Sequence, residues 1–233
     1  MQDVLDAHTA RLLEICGHYK EFSLTAFTVD VCDALGRGAD PNCKLPMRPR
    51  PTFTSWVPGL CFAAAKNCQA AVMAFLAFGC SVDIADNYGE TALFYAVLEG
   101  TWETVAVLLQ AGADPNHMAH DGERPVHMLA WRLDSFDKDI FNLLVAFGAD
   151  LEAPILGYTP SWTLLQRASL LCKTEKHLLP LVSALLDAGA VPDLGVHSHS
   201  LFSPDGLALI KGAQDWQLGA RRAWIKTCLT QSL

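Results

Sequence analysis

A glycine that ends an apolar run recurs five times in this chain of 233 residues. The spacings between successive copies are 41, 33, 36 and 41 residues. Glycine commonly ends a helix because it accepts the left-handed backbone conformation found there. The period therefore predicts a series of helix pairs, each closed by a glycine: Gly38, Gly79, Gly112, Gly148 and Gly189.

A second apolar run follows most of these glycines after a short polar stretch. TALFYAVLEG (91–100) and RPVHMLAW (124–131) show the pattern, with Thr, Ser or Pro near the start of the run. Thr and Ser cap helices, and Pro is tolerated in the first turn. A pair of helices this short cannot bury its apolar faces alone, so stacked copies must share one core. We count five helix–loop–helix units and a sixth partial unit.

These motifs resemble the ankyrin-repeat family. TALFYA and RPVHML resemble its T-P-L-H-x-A helix opening, and GTWETVAVLLQAGADPN (100–116) resembles its second helix and closing turn. The resemblance implies an all-α solenoid of stacked helix–turn–helix units with short β-hairpin-like loops. The aligned histidine of the helix opening is kept only at His127, and Cys61, Phe94 and Trp162 replace it elsewhere.

We predict a single ankyrin-repeat domain over residues 1–233. Its parts are an N-terminal capping unit (1–41), an inserted loop (42–57), central repeats (58–190) and a C-terminal unit with cap (191–233). Residues 215–231 of that cap have the pattern of a final helix.

Two spacings of 41 residues exceed the family period by eight. The first excess lies in the proline-rich segment 42–56, where Lys44, Arg48 and Arg50 give positive charge. That segment is either a stiff partner-contacting loop or a tolerated insertion. We assign the second excess to a longer connection between paired helices, over residues 169–180.

The composition narrows the functional classes. The net charge of −8 argues against a nucleic-acid binder, which normally presents a basic face. No run reaches the roughly 18 apolar residues of a membrane span, and the first residues do not resemble a secretory signal. The eight cysteines form no C-x-x-C pair and read as reduced thiols. We expect a cytoplasmic chain that is monomeric when free and binds neither membrane nor nucleic acid.

Catalytic and cofactor motifs are missing from the sequence. It contains no G-x-S-x-G, P-loop, H-E-x-x-H or G-x-G-x-x-G pattern, so we predict no catalytic residues, no cofactor and no metal. His197 and His199 form a His-x-His pair without accompanying ligands. A metal-binding protein or an enzyme that uses these histidines or a cysteine is the alternative.

The resemblance implies a partner-binding surface of loop tips and first-helix ends that line a concave groove. Tyr, Trp and Arg dominate binding hot spots, and acidic neighbours favour a basic protein partner. Such a chain could act as an inhibitor, an immunity protein or an adaptor. The candidate residues are Asn87, Tyr88, Glu90, Leu98 and Glu99 in the third unit, His120, Asp121, Glu123, Trp131 and Arg132 in the fourth, and Ile155, Leu156, Tyr158, Gln166 and Arg167 in the fifth.

Overall fold

The computed structural model of the chain describes residues 7–17, 24–50, 53–132, 136–155, 162–171, 178–191, 204–205 and 207–214. Contacts divide the chain into two compact units. Unit 1 comprises residues 1–132 and 139–150, and unit 2 comprises residues 133–138 and 151–233. The single-domain arrangement stays a prediction, and so does the C-terminal helix over 215–231, which lies outside the described residues.

The described residues of unit 1 form paired helices and a β-hairpin. Its elements are α1 (Ala7–Gly17), α2 (Leu24–Gly36), β1 (Lys44–Arg50), β2 (Phe53–Pro58), α3 (Gly59–Ala65), α4 (Gln69–Ala77), α5 (Ala92–Glu99), α6 (Trp102–Gln110), a 3₁₀ helix (Pro125–Ala130) and residues 139–146 of α7 (Lys138–Ala146). Unit 2 contains α8 (Leu164–Leu171), α9 (Leu179–Asp187) and helical residues 207–214.

The helices of unit 1 stack in two rows. The first helices of successive repeats, α3, α5 and the 3₁₀ helix, pack in that order, and the second helices α2, α4 and α6 form a parallel row. Between the rows lies an apolar core that includes the fully buried side chains of Phe75, Leu93, Phe94 and Leu108. The predicted all-α fold of stacked helix pairs is confirmed.

The recurring glycines close the second helices as predicted. All five have a φ between +84° and +99°, the region that side chains with a Cβ rarely adopt. At Gly112, the glycine N–H donates to the carbonyl of Leu109 and the next N–H donates to that of Leu108, both at 3.0 Å. These bonds satisfy the last carbonyl groups of α6.

Hydrogen bonds join each helix-closing turn to the next one. The residue four positions after a closing glycine provides a side-chain oxygen, which accepts the backbone N–H of the residue two positions after the next closing glycine. This repeated bond keeps neighbouring turns at a fixed spacing within each unit. The pairs are Asn42–Ser81 (3.1 Å), Asp83–Asp114 (3.1 Å) and Asn116–Asp150 (2.7 Å) in unit 1, and Glu152–Val191 (2.7 Å) in unit 2.

The basic insertion forms an antiparallel hairpin. Leu45 pairs with Val57 and Met47 with Ser55, with an irregularity before Arg50. Both strands contact α3, and β1 also contacts α1. All eight extra residues therefore lie before the first helix of the second repeat, where the sequence analysis placed them.

The second insertion is divided between two places. The N–H of Ile155 donates to the carbonyl of Trp162 at 2.8 Å, whereas the equivalent bond in the preceding repeat joins Ala119 to Glu123. The loop of the fifth repeat is therefore three residues wider. Five extra residues remain between α8 and α9, so the assignment of all eight to 169–180 was wrong.

This wider loop shifts the register of the fifth repeat. The N–H of Thr163 donates to Gln166 Oε1 at 3.1 Å, as the N–H of Arg124 donates to His127 Nδ1 at 2.9 Å. Gln166 thus occupies the position of the family histidine. The assignment of Trp162 to that position was wrong by four residues.

Candidate partner-binding surface

The loop tip of the third repeat is organised by Asp86. Its Oδ1 accepts the backbone N–H groups of Tyr88 at 2.8 Å and Glu90 at 2.9 Å, and its Oδ2 accepts the hydroxyl of Tyr95 at 2.9 Å. Asp is common in turns of this kind because its side chain bonds readily to nearby backbone N–H groups. The turn presents Tyr88 with 54% of its surface exposed.

The loop tips of the third and fourth repeats are joined to each other. The N–H of His120 donates to the carbonyl of Tyr88 at 2.9 Å. Gly89 has a φ of +80°, and a Cβ added there would lie 2.8 Å from the His120 ring. Glycine is therefore required for this close approach.

A carboxylate orients the most prominent aromatic side chain of the fourth repeat. The indole N–H of Trp131 donates to Glu123 Oε2 at 3.0 Å. Glu123 is only 6% exposed, whereas Trp131 is 44% exposed. The buried carboxylate thus holds one edge of a ring that otherwise meets solvent.

Arg132 joins the ends of two first helices. Its Nη1 donates to the carbonyl groups of Val97 at 2.7 Å and Gly100 at 3.2 Å, at the C-terminus of α5. A cation at this end of a helix also interacts favourably with the helix dipole. Beside this junction, Leu98 is half-buried and Glu99 is exposed.

Negative charge accumulates between the two loop tips. The pKa of Glu90 is raised to about 7, mainly by burial and then by the charge of Asp86, with smaller contributions from Asp121 and Glu123. Burial also raises the pKa of Tyr95. The ion pairs found in the described part of the chain do not include Glu90 or Asp121; they are Arg11–Glu14, Arg37–Asp33 and Arg124–Asp150.

Comparison with known families identifies the repeats. A family model described as ankyrin repeats (3 copies) matches residues 28–119 and 60–155, which together span more than half of the chain. The chain belongs to the ankyrin-repeat family. Ankyrin repeats are generally protein–protein interaction modules, and the family is typically non-catalytic.

Curated relatives share only part of this ankyrin-repeat chain. The inactive serine/threonine-protein kinase TEX14 of Bos taurus is 43% identical over 74 residues, 32% of this chain and 5% of the relative. Its Mus musculus counterpart is 38% identical over 91 residues, 39% of this chain and 6% of the relative. A putative ankyrin repeat protein of Rickettsia felis is 40% identical over 83 residues, 34% of this chain and 35% of the relative. The chain therefore covers a small part of the two kinase relatives and about a third of the bacterial one.

Most predicted contact residues of the third and fourth ankyrin repeats reach the surface. Tyr88 and Trp131 are the large apolar side chains among them. Glu123 is the exception because it is buried beneath Trp131. The exposed residues are Asn87, Tyr88, Glu99, His120, Asp121 and Trp131, and the half-buried ones are Glu90, Leu98 and Arg132.

The expectation of exposure in the fifth repeat was wrong for Ile155, Gln166 and Arg167. Ile155 is 0% exposed, and Arg167 is 7% exposed. The three extra loop residues explain the error, because they make Leu170 the counterpart of Leu98 and Trp131. Leu156 and Tyr158 lie outside the described residues, so their place in a binding surface stays a prediction.

Tyr95 is a site residue that sequence reasoning missed. It lies on the first helix of the third repeat, four residues after Thr91, and its hydroxyl bonds to Asp86. A tyrosine among the buried positions of a helix is itself a signal, because a buried hydroxyl needs a partner. The turn aspartate of the same repeat was the obvious candidate.

The metal-binding and nucleophilic side chains among the described residues bear on the alternative of a metal-binding protein or an enzyme. No group of three or more His, Cys, Asp or Glu in that part of the chain is placed to hold a metal ion. Burial, followed by the charge of Asp86, raises the pKa of the Cys61 thiol well above its usual value, which disfavours the nucleophilic thiolate. His127 is fully buried and accepts a backbone N–H. His197 and His199 lie outside the described residues.

None of the helices in the described part of the chain combines the length and apolar character needed to cross a bilayer.

Proposed function

We propose that this chain is a non-catalytic module that binds a partner protein through the surface of its third and fourth ankyrin repeats. We call this the Tyr88–Trp131 surface. It corresponds to the loop tips and concave groove that the family resemblance implies. Its members are Asn87, Tyr88, Glu90, Leu98, Glu99, His120, Asp121, Trp131 and Arg132.

The exposure of two aromatic residues on a rigid frame carries the proposal. Tyr88 and Trp131 are 54% and 44% exposed on neighbouring repeats. Their repeats are joined by the His120–Tyr88 bond at the loop tips and by the Arg132–Val97 bond at the helix ends. Exposed aromatic rings carried by a backbone that is already ordered lose less entropy on binding than rings on a flexible segment.

The charge of the surface favours a basic partner. Glu90, Glu99 and Asp121 belong to the same two repeats as the aromatic rings, and Arg132 already donates to carbonyl groups at the C-terminus of α5. Burial raises the pKa of Glu90 most, and a segment rich in Lys or Arg would relieve the repulsion from Asp86 and other nearby acids that adds to it. We expect no nucleic-acid partner, because the same charge repels phosphate.

The proposal covers three biological outcomes that share this contact. A tightly held partner would be inhibited or neutralised, as by an inhibitor or immunity protein. A partner that remains active would be linked to another protein, as by an adaptor, with the basic hairpin as a second contact. We propose in addition that the chain is cytoplasmic and monomeric when free.

Affinity capture from the native source tests the proposal. The bait is the wild-type chain, the Tyr88→Ala/Trp131→Ala variant or the Trp102→Ala variant. Trp102 is a matched control because it is 47% exposed but lies on the second helix α6. We expect one protein to be captured by wild type and control and lost by the double variant. Equal capture by all three baits would contradict the proposed surface.

Salt dependence tests the charge of the partner. Association of the captured protein should slow as ionic strength rises from about 0.05 to 0.5 M, because salt screens charged encounter. An association rate independent of salt would contradict a basic partner and leave the surface itself unaffected.

A further inference from the structure

Two aligned positions, eight residues apart, carry different pairs of side chains in three of the repeats. The first position ends the loop and the second lies at the end of the first helix. The pairs are Glu90 and Leu98 in the third repeat, Glu123 and Trp131 in the fourth, and Trp162 and Leu170 in the fifth.

The fifth repeat shows how a tryptophan in such a pair is used for packing. Trp162 is partly buried and, together with Leu170 and Leu207, packs against the fully buried Ile210 of unit 2. Its ring contributes to the hydrophobic core of that unit.

The fourth repeat uses its tryptophan differently. Trp131 keeps 44% of its surface exposed, although burial of an aromatic ring is favourable. Its indole N–H reaches Glu123 Oε2 at 3.0 Å and Oε1 at 3.4 Å. A hydrogen bond to a carboxylate is stronger than one between neutral groups, and burial of the carboxylate shields it from water.

The third repeat lacks this arrangement. Leu98 stands in the position of Trp131 and has no N–H to donate. The hydroxyl of Tyr95, on the first helix of this repeat, donates to Asp86. The carboxylate–indole contact is therefore particular to the fourth repeat among these three.

We propose that Glu123 is a positioning residue that fixes the indole of Trp131 as a preformed contact point for the partner. This inference rests on the proposed function, since it assigns a role within the Tyr88–Trp131 surface. A free surface tryptophan samples several rotamers and loses that freedom on binding. The Glu123 carboxylate removes most of this freedom before the partner arrives.

The contact itself is tested in the free protein by NMR. The chain has six tryptophans, and the indole N–H signal absent from the Trp131→Phe variant belongs to Trp131. Glu123→Gln keeps an acceptor oxygen, whereas Glu123→Met keeps the length of the side chain without one. We expect exchange of this N–H with water to be slow in wild type and Glu123→Gln, and about tenfold faster or more in Glu123→Met. Equal exchange in wild type and Glu123→Met would overturn the inference.

The functional consequence is tested with the protein captured by the wild-type chain. We expect Glu123→Met to weaken binding about fivefold or more and Glu123→Gln to stay within about twofold of wild type. In the Trp131→Phe background, which has no indole N–H, Glu123→Met should have no further effect. Should Glu123→Met fail to fold, as judged by circular dichroism, a Glu123→Leu variant replaces it in the same cycle.

The outcomes separate this inference from the proposed function. Loss of binding in Trp131→Ala with unchanged binding in Glu123→Met would overturn the positioning role and leave the surface in place. Unchanged binding in Trp131→Ala would overturn the surface itself.

Discussion

The hydroxyl of Thr104 donates to Asn67 Oδ1 at 2.8 Å, linking the second helix of one ankyrin repeat to the helix turn of the repeat before it. The same oxygen accepts the backbone N–H and the hydroxyl of Thr101 at 3.2 Å each. Asn67 has a φ of +51°, which asparagine tolerates better than most residues. One side chain therefore organises the start of α6.

Two buried threonines should respond in opposite ways to removal of the hydroxyl. Thr91 is also fully buried, but its Oγ1 has no hydrogen-bond partner in the structure. We expect Thr104→Val to lower the free energy of unfolding by about 1–2 kcal/mol, because Asn67 loses a donor. We expect Thr91→Val to be neutral or stabilising by up to about 1 kcal/mol, because it removes a desolvated hydroxyl. Urea unfolding measures both, and destabilisation by Thr91→Val as large as that by Thr104→Val would contradict this account.

The bond between successive turns should contribute measurably to stability. Asn116 accepts the N–H of Asp150 at 2.7 Å and donates to the carbonyl of Gly148 at 2.8 Å. Asn116→Ala removes both bonds, and we expect a loss of about 1–2 kcal/mol in the free energy of unfolding. Asn87→Ala, at an exposed loop tip, serves as the control and should change it by less than about 0.5 kcal/mol. Similar losses in the two variants would argue against a structural role for the turn-to-turn bond.

The helix-closing glycines should resist replacement even where space is available. A Cβ at Gly112 would meet nothing within 4 Å, but the φ of +93° is strained for any other residue. We expect Gly112→Ala to cost about 1 kcal/mol in thermal or urea unfolding. Gly36→Ala is the matched control, because Gly36 lies in α2 without a positive φ and a Cβ there makes only ordinary contact with Phe78. The control should be neutral or stabilising, and an equal cost at both sites would contradict the conformational argument.

Glu90 should make stability depend on pH. Its pKa in the folded protein is about 7, above the ordinary value of 4.5, so the folded state holds this proton more tightly than the unfolded chain. The resulting stabilisation is full below pH 4.5 and is lost as pH rises through 7. As the pH rises from 5 to 8, we expect the free energy of unfolding of Glu90→Gln to increase by about 1–2 kcal/mol relative to that of wild type, allowing for solvent screening.

Urea unfolding at the two pH values checks this dependence. Glu99→Gln, at an exposed acid of the same surface, controls for the general loss of negative charge. A stability difference between Glu90→Gln and wild type that is the same at pH 5 and pH 8 would refute the role of Glu90.

The helix pairs and their closing turns were predictable because their causes are local. A positive φ demands glycine wherever the chain turns in this way, so Gly79, Gly112 and Gly148 mark the turns in the sequence itself. The oxygen-bearing residue four positions later follows the same local geometry. Asn42 and Asn116 could be recognised as part of a repeated motif, although the bond to the following turn appears only in the structure.

The register of the fifth repeat was not predictable from the same rules. The sequence offers two threonines, Thr159 and Thr163, that could precede the first helix, and the proline after Thr159 fits the family motif better. Hydrogen bonding between Thr163 and Gln166 shows that the helix starts at the later position. The spacing between two closing glycines gives only the total number of extra residues. It cannot show how these residues are divided between two loops.

The pairing of Glu123 with Trp131 also lay beyond sequence reasoning. The two residues are eight positions apart, one at the end of a loop and the other at the end of a 3₁₀ helix. Whether the two side chains meet depends on the conformation of the loop and on the direction in which the helix leaves it. The sequence analysis predicted a contact residue at each position, and the structure shows a hydrogen bond between the two side chains.

The most direct test of the central claim is the dissociation constant of the captured partner for three purified chains. Isothermal titration calorimetry compares wild type, Tyr88→Ala/Trp131→Ala and Trp102→Ala, with circular dichroism to verify that each is folded. We expect the double variant to bind at least about a hundredfold more weakly, since hot-spot aromatics typically contribute 2 kcal/mol or more each, and the control to match wild type within about twofold. Equal affinity of the folded double variant and wild type would show that the Tyr88–Trp131 surface does not bind the partner.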